Sequence, residues 1–512
     1  MNRYEGEFRG NGMEQRFDYE KQHIKGKLHA MERIEMILDQ GSFQEIGSNM
    51  INYHSNQDSF KTRLPYDGVI TGYGEINKQK VFIYSQDFTI QGGTLGLNHG
   101  KKISNVINLA IKAKCPIIGI NDSGGARIQE GVNALAGYGE IFYYNTLASG
   151  YIPQISIIAG TCAGGAVYSS GITDFIFVID QISQMYVTGN KVIQSVTGEK
   201  CTLEELGGAR AHASTSGVAH FYDNSEAECF EKVRRLVTLL SGDSQEKTHK
   251  NLFGQLFHKQ KTSIDEILPE NNKRTYDVKK VIDQIIDPNS FLEISQDFAQ
   301  NLVIGFAKLD NKTIGLIANQ PLCKCGALDC DASDKGARFV RFCDAYDIPI
   351  ITLVDVPGFI PSVAQEHNGI IRHGAKLLYA YAEATTIKIT VVLRKAYGGA
   401  YIAMGSKHLH TDFVYAWDNA EIAVMGAEGA VQIIHQKEIS RLQDNDRLNY
   451  INEKVQEYTI NYMNSKKALE EGYVDEILAP SETRSRLISD IAMLSNKKDT
   501  IKIDKKHGCI PL

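Results

Sequence analysis

The amino-acid sequence predicts an α/β protein built from two tandem copies of one domain. Two observations carry this prediction: an order of segments that occurs twice within 512 residues, and buried apolar strands that alternate with amphipathic helices in each copy. Strands that are apolar on both faces are typical of parallel sheets covered by helices. The hydrophobic fraction of 43% supplies the cores of two such domains and excludes a disordered chain.

The repeat is clearest in the spacing of matched residues. VITGYGEINKQKVFIYSQDF begins at Val69, and LVIGFAKLDNKTIGLIANQ begins at Leu302. Aligning Gly72 with Gly305 gives an offset of 305 − 72 = 233. The same offset joins Pro116 with Pro349, Asp122 with Asp355 and Gly125 with Gly358. Near the end of each copy the offset becomes 234, so we interpret the chain as a duplication.

Each copy shows the same order of elements. Two strands of alternating apolar and polar residues meet at a turn, near Asn77 and again near Asp310, as in a β-hairpin. An amphipathic helix follows, in KKISNVINLAIKAK and in DKGARFVRFCDAY. A short buried strand then ends in Asp122 or Asp355. A second buried strand ends in Gly-Gly-Ala and leads into another helix.

Composition places the boundaries of the copies. We expect a polar N-terminal arm over residues 1–30 and a first domain over 31–240. A connection rich in Lys, Gln and Asn is expected over 241–274, and a second domain over 275–512. The terminal HGCIPL is expected to dock on the protein.

Charge and composition exclude several classes of protein. The net charge of −6 argues against a nucleic-acid or anionic-membrane protein, because both usually need a basic face. No apolar stretch has the length of a signal peptide or a membrane span. The nine cysteines lack the spacing of a secreted disulfide framework, so a cytoplasmic location is expected. Cys323, Cys325 and Cys330 have no fourth ligand at zinc spacing, so no metal is expected.

The Gly-Gly-Ala segments are the strongest candidate site. Ligands of parallel α/β domains gather where strands end and helices begin, and the first N–H groups of a helix have no partner inside it. Two such N–H groups can hold a carbonyl oxygen that becomes an enolate, which makes Gly164, Gly165, Gly399 and Ala400 candidate donors. The alternative is that these glycines only permit tight helix–strand packing. Equivalent pairs in both copies favour the oxyanion interpretation.

Other candidates lie in the loops near these segments. The Gly-rich loop after Asp122 holds Ala126 and Arg127, and Arg127 or Lys395 is a candidate for a phosphate contact. A surface role explains single basic residues equally well. No Ser/His/Asp arrangement, phosphate-binding P-loop or strand-linked GxGxxG is present, which favours chemistry performed by backbone donors.

Several segments together carry a family resemblance. They are NDSGGARIQEG (121–131), CAGGAVYS (162–169), LVDVPGFIP (353–361), RKAYGGAYIAMGSKHL (394–409) and AEIAVMGAEGA (420–430). With these segments the chain resembles the acyl-CoA carboxyltransferases, a family that includes propionyl-CoA carboxylase β subunits and methylmalonyl-CoA decarboxylase α subunits. The resemblance extends from about Gly26 to the end of the chain. It implies two crotonase-like domains of the ββα superhelix type and a hexamer that is a trimer of dimers.

The resemblance also implies roles for the candidate residues. Gly164 and Gly165 would hold the thioester oxygen of the acyl-CoA, and Gly399 and Ala400 the ureido oxygen of biotin. The ester would lie on the first domain of one subunit and biotin on the second domain of its dimer partner. In the implied mechanism, carboxybiotin releases CO2 and then removes the α-proton of the ester, whose enolate captures the CO2. The chain has no biotin-attachment Met-Lys-Met, so a biotin carboxyl carrier protein or biotin carboxylase subunit is the implied partner.

Substrate contacts are implied for Ala126 and Arg127, and for Tyr401 and Ile402 after the second pair. The family often reads KLTARERI where this chain has KLHAMERI, so His29 and Met31 put a contribution to CoA binding in question, while Arg33 is retained. Propionyl-CoA carboxylases commonly carry Asp where Ile402 stands, which leaves the acyl preference open.

The functional prediction is therefore a carboxyltransferase subunit that acts between carboxybiotin and a short acyl-CoA, with propionyl-CoA and methylmalonyl-CoA as the expected esters. The first alternative is the α subunit of a methylmalonyl-CoA decarboxylase, in which a membrane partner takes CO2 from biotin. A non-catalytic scaffold is an alternative of another class. A crotonase-type hydratase would need a catalytic Glu, with Glu130 and Glu140 as candidates by sequence distance alone.

Overall fold

The computed structural model describes residues 17–53, 64–241, 264–269, 271–272, 274–498 and 505–512. The chain divides into two compact units: unit 1 contains Met1–Ala213 and Val218–Thr238, and unit 2 contains Ser214–Gly217 and Leu239–Leu512. Residues 1–16 of the expected arm and most of the expected connection lie outside the described residues. The boundaries drawn from composition stay predictions.

The first half of the chain contains eight strands and nine α-helices among its described residues. The strands are β1 (Gln44–Ile46), β2 (Val69–Ile76), β3 (Gln79–Gln86), β4 (Ile117–Ser123), β5 (Gln154–Ala163), β6 (Phe175–Ile179), β7 (Gln184–Tyr186) and β8 (Phe221–Asp223). The helices are α1 (Glu20–His23), α2 (Ala30–Ile37), α3 (Leu97–Ala113), α4 (Val132–Ala148), α5 (Gly165–Ile172), α6 (Asn190–Thr197), α7 (Leu203–Gly207), α8 (Ala209–Ser214) and α9 (Glu226–Leu240).

The second half contains eight strands and ten α-helices among its described residues. The strands are β9 (Leu292–Ile294), β10 (Leu302–Leu309), β11 (Lys312–Asn319), β12 (Ile350–Val356), β13 (Lys388–Tyr397), β14 (Phe413–Trp417), β15 (Glu421–Ala423) and β16 (Glu476–Leu478). The helices are α10 (Val278–Ile285), α11 (Cys330–Ala345), α12 (Val363–His367), α13 (Ile370–Glu383), α14 (Gly398–Ala403), α15 (Ala427–Ile434), α16 (Gln436–Ile439), α17 (Asp444–Tyr462), α18 (Ser465–Glu470) and α19 (Thr483–Met493).

The two units have the same sheet topology. Unit 1 orders its strands β1-β2-β3-β4-β5-β6-β8 with β7 on β5, and unit 2 orders them β9-β10-β11-β12-β13-β14-β16 with β15 on β13. In each sheet the first three strands are antiparallel and the rest are parallel. The predicted α/β fold and its internal duplication are confirmed.

Local sequence explains the matched elements. The hairpin turns fall at Asn77 and Lys78 and at Asp310 and Asn311, all with φ between 48° and 65°, as two-residue primed turns require. The predicted amphipathic helices form as α3 and α11, and Asp329 caps α11 by accepting from the N–H of Ala332 at 2.9 Å. The Ile- and Val-rich strands β4 and β12 are buried along their whole length, as central parallel strands should be.

Each unit has its own hydrophobic core between sheet and helices. The core of unit 1 includes Ile103, Ile107 and Ile158, and that of unit 2 includes Leu316 and Val391. In unit 2 the terminal HGCIPL lies against α13, where the guanidinium of Arg372 donates to the carbonyl of Leu512 at 2.9 Å. In the described ranges, no helix is both long and apolar enough to span a membrane.

Candidate active site

The first candidate site lies where β5 ends and α5 begins. Gly164 occupies the turn with φ +59° and ψ −127°, a backbone conformation that residues other than glycine rarely adopt. The N–H of Gly164 donates to the carbonyl of Tyr186 at 3.2 Å, so it is already engaged. The next two N–H groups, of Gly165 and Ala166, belong to the first helical turn, where no carbonyl of the helix can accept from them.

The second candidate site repeats this geometry where β13 ends and α14 begins. Gly398 has φ +59°, the same value as Gly164, and Gly399 and Ala400 follow it. These two residues stand 234 positions after Gly165 and Ala166, in register with the repeat. A Cβ added at Gly399 would meet no atom within 4 Å, so a ligand can approach its backbone closely.

Paired N–H groups of this kind can stabilise an oxygen that gains negative charge during a reaction. The positive end of the helix dipole adds to their effect. A thiol nucleophile is not part of the arrangement, because burial raises the pKa of Cys162, two residues before Gly164, to about 12. The geometry therefore supports enolate chemistry on backbone donors.

The loops that follow β4 and β12 are held by matched backbone contacts to the segments that precede α3 and α11. Leu95 donates to the carbonyl of Gly125 at 2.9 Å, and Leu328 donates to that of Gly358 at 3.0 Å. Ala126 lies half-buried within the first of these loops, paired with Leu95 as an isolated bridge. The structure thus places Ala126 in a loop with a defined backbone, and its predicted substrate contact stays a prediction.

Arg127 is buried and hydrogen-bonded to neighbouring residues of unit 1. Its guanidinium is 1% exposed; Nη1 donates to Asp67 at 2.6 Å and to Glu130 at 2.7 Å, while Nη2 donates to the carbonyl of Thr94 at 2.8 Å. Burial raises the pKa of Asp67, and the charge of Arg127 opposes that rise. The guanidinium of Arg127 therefore holds its own loop in place, and its predicted substrate or phosphate contact stays a prediction. The carboxylate of Glu130, a candidate base by sequence distance, is committed to the same network.

A buried charge cluster that the sequence reasoning missed lies behind the first site. Asp122, at the end of β4, is fully buried and contacts the Nζ of Lys27 at 2.6 Å and Nη1 of Arg33 at 3.2 Å. Arg33 also donates to Glu226 at 2.6 Å and to the carbonyl of Ala159 at 2.7 Å. Burial lowers the pKa of Lys27, and Asp122 opposes that shift. The signal in the sequence was a charged residue ending an apolar strand, since a buried carboxylate needs a cation.

The KLHAMERI residues are structural in this geometry. His29 is fully buried, caps α2 by accepting from the N–H of Met31 at 3.1 Å, and contacts Asp87 at 3.1 Å. Arg33 is fully buried as well. The effect of the KLHAMERI change on CoA binding stays a prediction.

In unit 2 the matching aspartate has another cation. Arg394, on β13, donates from Nε to Asp355 at 3.0 Å and from Nη1 to the carbonyl of Arg274 at 2.7 Å. The guanidinium also lies over the ring of Tyr276, 5.1 Å from its centroid. Burial raises the pKa of Asp355, and the charge of Arg394 opposes that rise.

The side chains after the second pair lie on α14. Tyr401 is 4% exposed, and its hydroxyl has no hydrogen-bond partner within the described ranges. Its ring meets that of His408 edge-on, with centroids 6.1 Å apart. Ile402 is half-buried. The predicted substrate contacts of Tyr401 and Ile402 stay predictions, and Ile402 is the more accessible of the two.

Comparison with known proteins gives consistent matches over nearly the whole chain. A family described as the carboxyl transferase domain matches residues 21–510. The carboxyltransferase subunit of propionyl-CoA carboxylase from Haloferax mediterranei is 48% identical over 491 residues, covering 96% of this chain and 95% of that protein. Methylmalonyl-CoA decarboxylase subunit alpha from Veillonella parvula is 49% identical over 493 residues, with the same coverage.

The solved structures agree with the sequence relatives. The crystal structure of transcarboxylase 12S, a hexamer assembly with methylmalonyl-coenzyme A and methylmalonic acid bound, superposes with a TM-score of 0.90 at 44% identity. That match covers 98% of this chain and 95% of the transcarboxylase chain.

Proposed function

This chain belongs to the carboxyl transferase family and is an enzyme, and we propose that it moves a carboxyl group between biotin and the α-carbon of a short acyl-CoA. Propionyl-CoA and methylmalonyl-CoA are the proposed esters, because close relatives are named after them and transcarboxylase 12S was solved with methylmalonyl-CoA. The observation that carries the proposal is the pair of equivalent N–H sites, one in each unit. Two enolates must be stabilised in such a transfer, and each site can stabilise one.

The first pair is assigned to the thioester oxygen of the acyl-CoA. We place the donors at Gly165 and Ala166, one residue later than the sequence-based choice of Gly164 and Gly165. The reason is that the N–H of Gly164 already donates to Tyr186, whereas the next two start a helix. This assignment also brings the first pair into register with Gly399 and Ala400.

The second pair is assigned to the ureido oxygen of biotin. The open space at Gly399 and the two helix-start donors fit a carbonyl oxygen carried on a bulky ring system. When bound, biotin supplies the carboxyl group in its carboxylated form and, once it has given that group up, the base for the α-proton of the ester. The chain itself holds the oxygen with Gly399 and Ala400, and so favours the electron distribution of the enolate.

Biotin is proposed to arrive on a partner, a carrier protein or a biotin carboxylase subunit, which matches the family relation. We also propose a homo-oligomer, a hexamer as in transcarboxylase 12S, in which the ester binds unit 1 of one subunit and biotin binds unit 2 of its dimer partner. Exposed apolar side chains at helical spacing on α4 support an oligomer: Val132, Leu135, Tyr143 and Leu147 are each at least half exposed. A cytoplasmic location is part of the proposal and is supported by the nine free cysteines.

The direction of transfer is proposed to be carboxylation, with decarboxylation as the second candidate. Decarboxylase α subunits are about as similar to this chain as carboxylase subunits are, at 47–49% and 47–51% identity respectively. The same two N–H pairs serve both directions. The partner that loads or unloads biotin then decides which one operates.

The test is the loss of the carboxylate of methylmalonyl-CoA or malonyl-CoA, with and without free biotin. We expect loss that free biotin stimulates, and faster loss with methylmalonyl-CoA. In Gly399→Val the new side chain enters the open space above the donors, and we expect at least a tenfold fall in rate; losing a single donor of this type costs about 10²–10³-fold. Gly171→Val near the end of α5, where a Cβ also meets nothing within 4 Å, is the matched control and should keep the rate. Loss that ignores biotin would contradict the role of the second pair.

A further inference from the structure

A chain of hydrogen-bonded side chains lies directly before the second N–H pair. Tyr397 is the last residue of β13 and precedes the turn at Gly398. Its hydroxyl donates to a carboxylate oxygen of Glu421, whose other oxygen accepts from the side-chain amide of Asn272 at 2.6 Å. The Tyr397 side chain is only 9% exposed, so water competes little for its hydrogen bond.

Tyr397 is a permanent donor in this arrangement. Burial, together with the neighbouring Glu421 carboxylate, raises the pKa of Tyr397 well above its ordinary value. The hydroxyl therefore keeps its proton at neutral pH and donates it to a carboxylate. Hydrogen bonds of this charge-assisted kind are roughly twice as strong as neutral ones.

The hydrogen bond ties two neighbouring strands together at the active-site end of the sheet. On the parallel pair β13 and β15, Lys395 stands opposite Glu421 and Tyr397 stands opposite Ala423. Residues two apart on a strand share a face, so the Tyr397 ring reaches diagonally back to Glu421. The end of β13, and with it the turn at Gly398, is thereby fixed to β15.

Within its described residues, unit 1 has no side-chain hydrogen bond equivalent to that between Tyr397 and Glu421. At the positions that match Tyr397 and Glu421, the pair β5 and β7 carries Ala163 and Gln184, and the aromatic residue Tyr186 stands on the opposite strand. An alanine side chain cannot donate a hydrogen bond. Because unit 1 forms the same turn with these residues, the fold alone does not require the Tyr397–Glu421 bond.

We propose that Tyr397 and Glu421 are positioning residues of the second site, which hold the turn at Gly398 so that the N–H groups of Gly399 and Ala400 stay aimed at the ureido oxygen. This inference rests on the proposed function of that pair. Donors stabilise a developing charge only when they are already in place, and small displacements lower the rate. In the proposed function, the biotin ring binds the second site and leaves it again in each catalytic cycle. The Tyr397–Glu421 hydrogen bond does not depend on bound biotin, so it keeps the two N–H groups in position when the site is empty.

The experiment measures biotin-stimulated loss of the methylmalonyl-CoA carboxylate in Tyr397→Phe. We expect kcat to fall about tenfold, less than the 10²–10³-fold that follows the loss of a donor itself. Binding of methylmalonyl-CoA, measured by calorimetry without biotin, should stay unchanged, because the first pair lies in unit 1. A defect in biotin-dependent turnover with normal ester binding is a readout that general destabilisation does not produce.

Tyr415→Phe is the matched control. The Tyr415 hydroxyl, on β14 of the same unit, donates to the carboxylate of Asp490 at 2.6 Å, so the variant loses the same kind of bond away from the turn. It should lower the melting temperature but keep kcat. Glu421→Gln retains an acceptor and should stay closer to wild type than Glu421→Ala. The double variant Tyr397→Phe/Glu421→Ala should be no slower than the slower single variant.

The outcomes separate the two proposals. A wild-type chain that shows no biotin-stimulated loss would overturn the proposed function, and the positioning role with it. An active wild type in which Tyr397→Phe keeps the kcat of Tyr415→Phe would overturn the positioning role alone. Equal kcat values for Glu421→Gln and Glu421→Ala would also contradict it, since the retained acceptor would then be irrelevant.

Discussion

Units 1 and 2 have the same fold but take the counter-charge of a buried aspartate from different places. Asp122 and Asp355 are the penultimate residues of β4 in unit 1 and of β12 in unit 2. In unit 1 the cations are Lys27 and Arg33, which belong to the segment before β1. In unit 2 the cation is Arg394, on the neighbouring strand β13.

A glycine in unit 1 explains why the two units use cations from different elements. Gly160 in unit 1 stands 234 positions before Arg394. A Cβ at Gly160 would lie 2.0 Å from Oδ1 of Asp122 and 2.4 Å from the Nζ of Lys27, so that site has no room for a side chain. Both units thus have the buried carboxylate and the backbone donors, but the cation that pairs with the carboxylate comes from a different element in each unit. A buried carboxylate needs a charge within hydrogen-bond distance, whichever element supplies it.

The largest expected effect comes from removing Arg33, one of the two cations of unit 1. Arg33→Met leaves the buried Glu226 without its cation and Asp122 with Lys27 alone, so we expect the free energy of unfolding to fall by about 3–5 kcal/mol. Denaturant unfolding followed by circular dichroism measures it. Arg234→Met is the control, because Arg234 and Asp39 form a partly exposed pair at 2.8 Å that is worth about 1 kcal/mol or less. Equal losses in the two variants would show that the cluster is not an essential part of unit 1.

A smaller effect is expected from adding a side chain at Gly160, where unit 1 has no room for one. Gly160→Ala pushes a methyl group against Asp122 and Lys27, and overpacking of this kind costs about 1–3 kcal/mol. Gly171→Ala on the exposed face of α5 meets nothing within 4 Å and should stabilise the helix by about 0.5–1 kcal/mol. The difference between the two midpoints of unfolding is the measurement. If Gly160→Ala is as stable as Gly171→Ala, the lack of space at Gly160 is not the reason that the two units use different cations.

The smallest expected effect concerns a pair of buried lysines that the duplication preserves. Lys102 and Lys335, 233 positions apart, both donate to backbone carbonyls: Lys102 to that of Tyr66 at 3.0 Å, and Lys335 to those of Ser295 and Phe298 at 2.9 and 2.7 Å. Burial lowers the pKa of Lys335 from 10.5 to about 7. Between these values the unfolded chain binds more protons than the folded chain, so stability should rise with pH in this window and be flat outside it.

Lys335→Met should remove this slope. The free energy of unfolding of wild type minus that of the variant is expected to rise by about 1 kcal/mol per pH unit between pH 7 and 9. Taking the difference cancels the titration of other groups. Parallel stability curves for the two proteins would mean that Lys335 keeps its proton in both states.

The sequence predicted those features that depend on neighbours in the chain. The hairpin turns, the apolar strands β4 and β12 and the helices α3 and α11 follow from local patterns, and the offset of 233 to 234 paired them correctly. The glycine turns before α5 and α14 were located for the same reason. What local pattern did not show is which N–H groups of the first turn are engaged, because the acceptor of Gly164 is Tyr186, on another strand.

The charged residues show most clearly which features could not be predicted from the sequence. The sequence by itself determined that a carboxylate would be buried at the end of an apolar strand, and that backbone donors would start the following helix. Only the tertiary structure decided that Arg127 closes its own loop, and that Arg33 reaches Asp122 and Glu226, which are 89 and 193 positions away. The physical reason is that backbone propensity acts between residues close in the chain, whereas the partner of a buried charge is whichever cation the packed elements bring within hydrogen-bond distance.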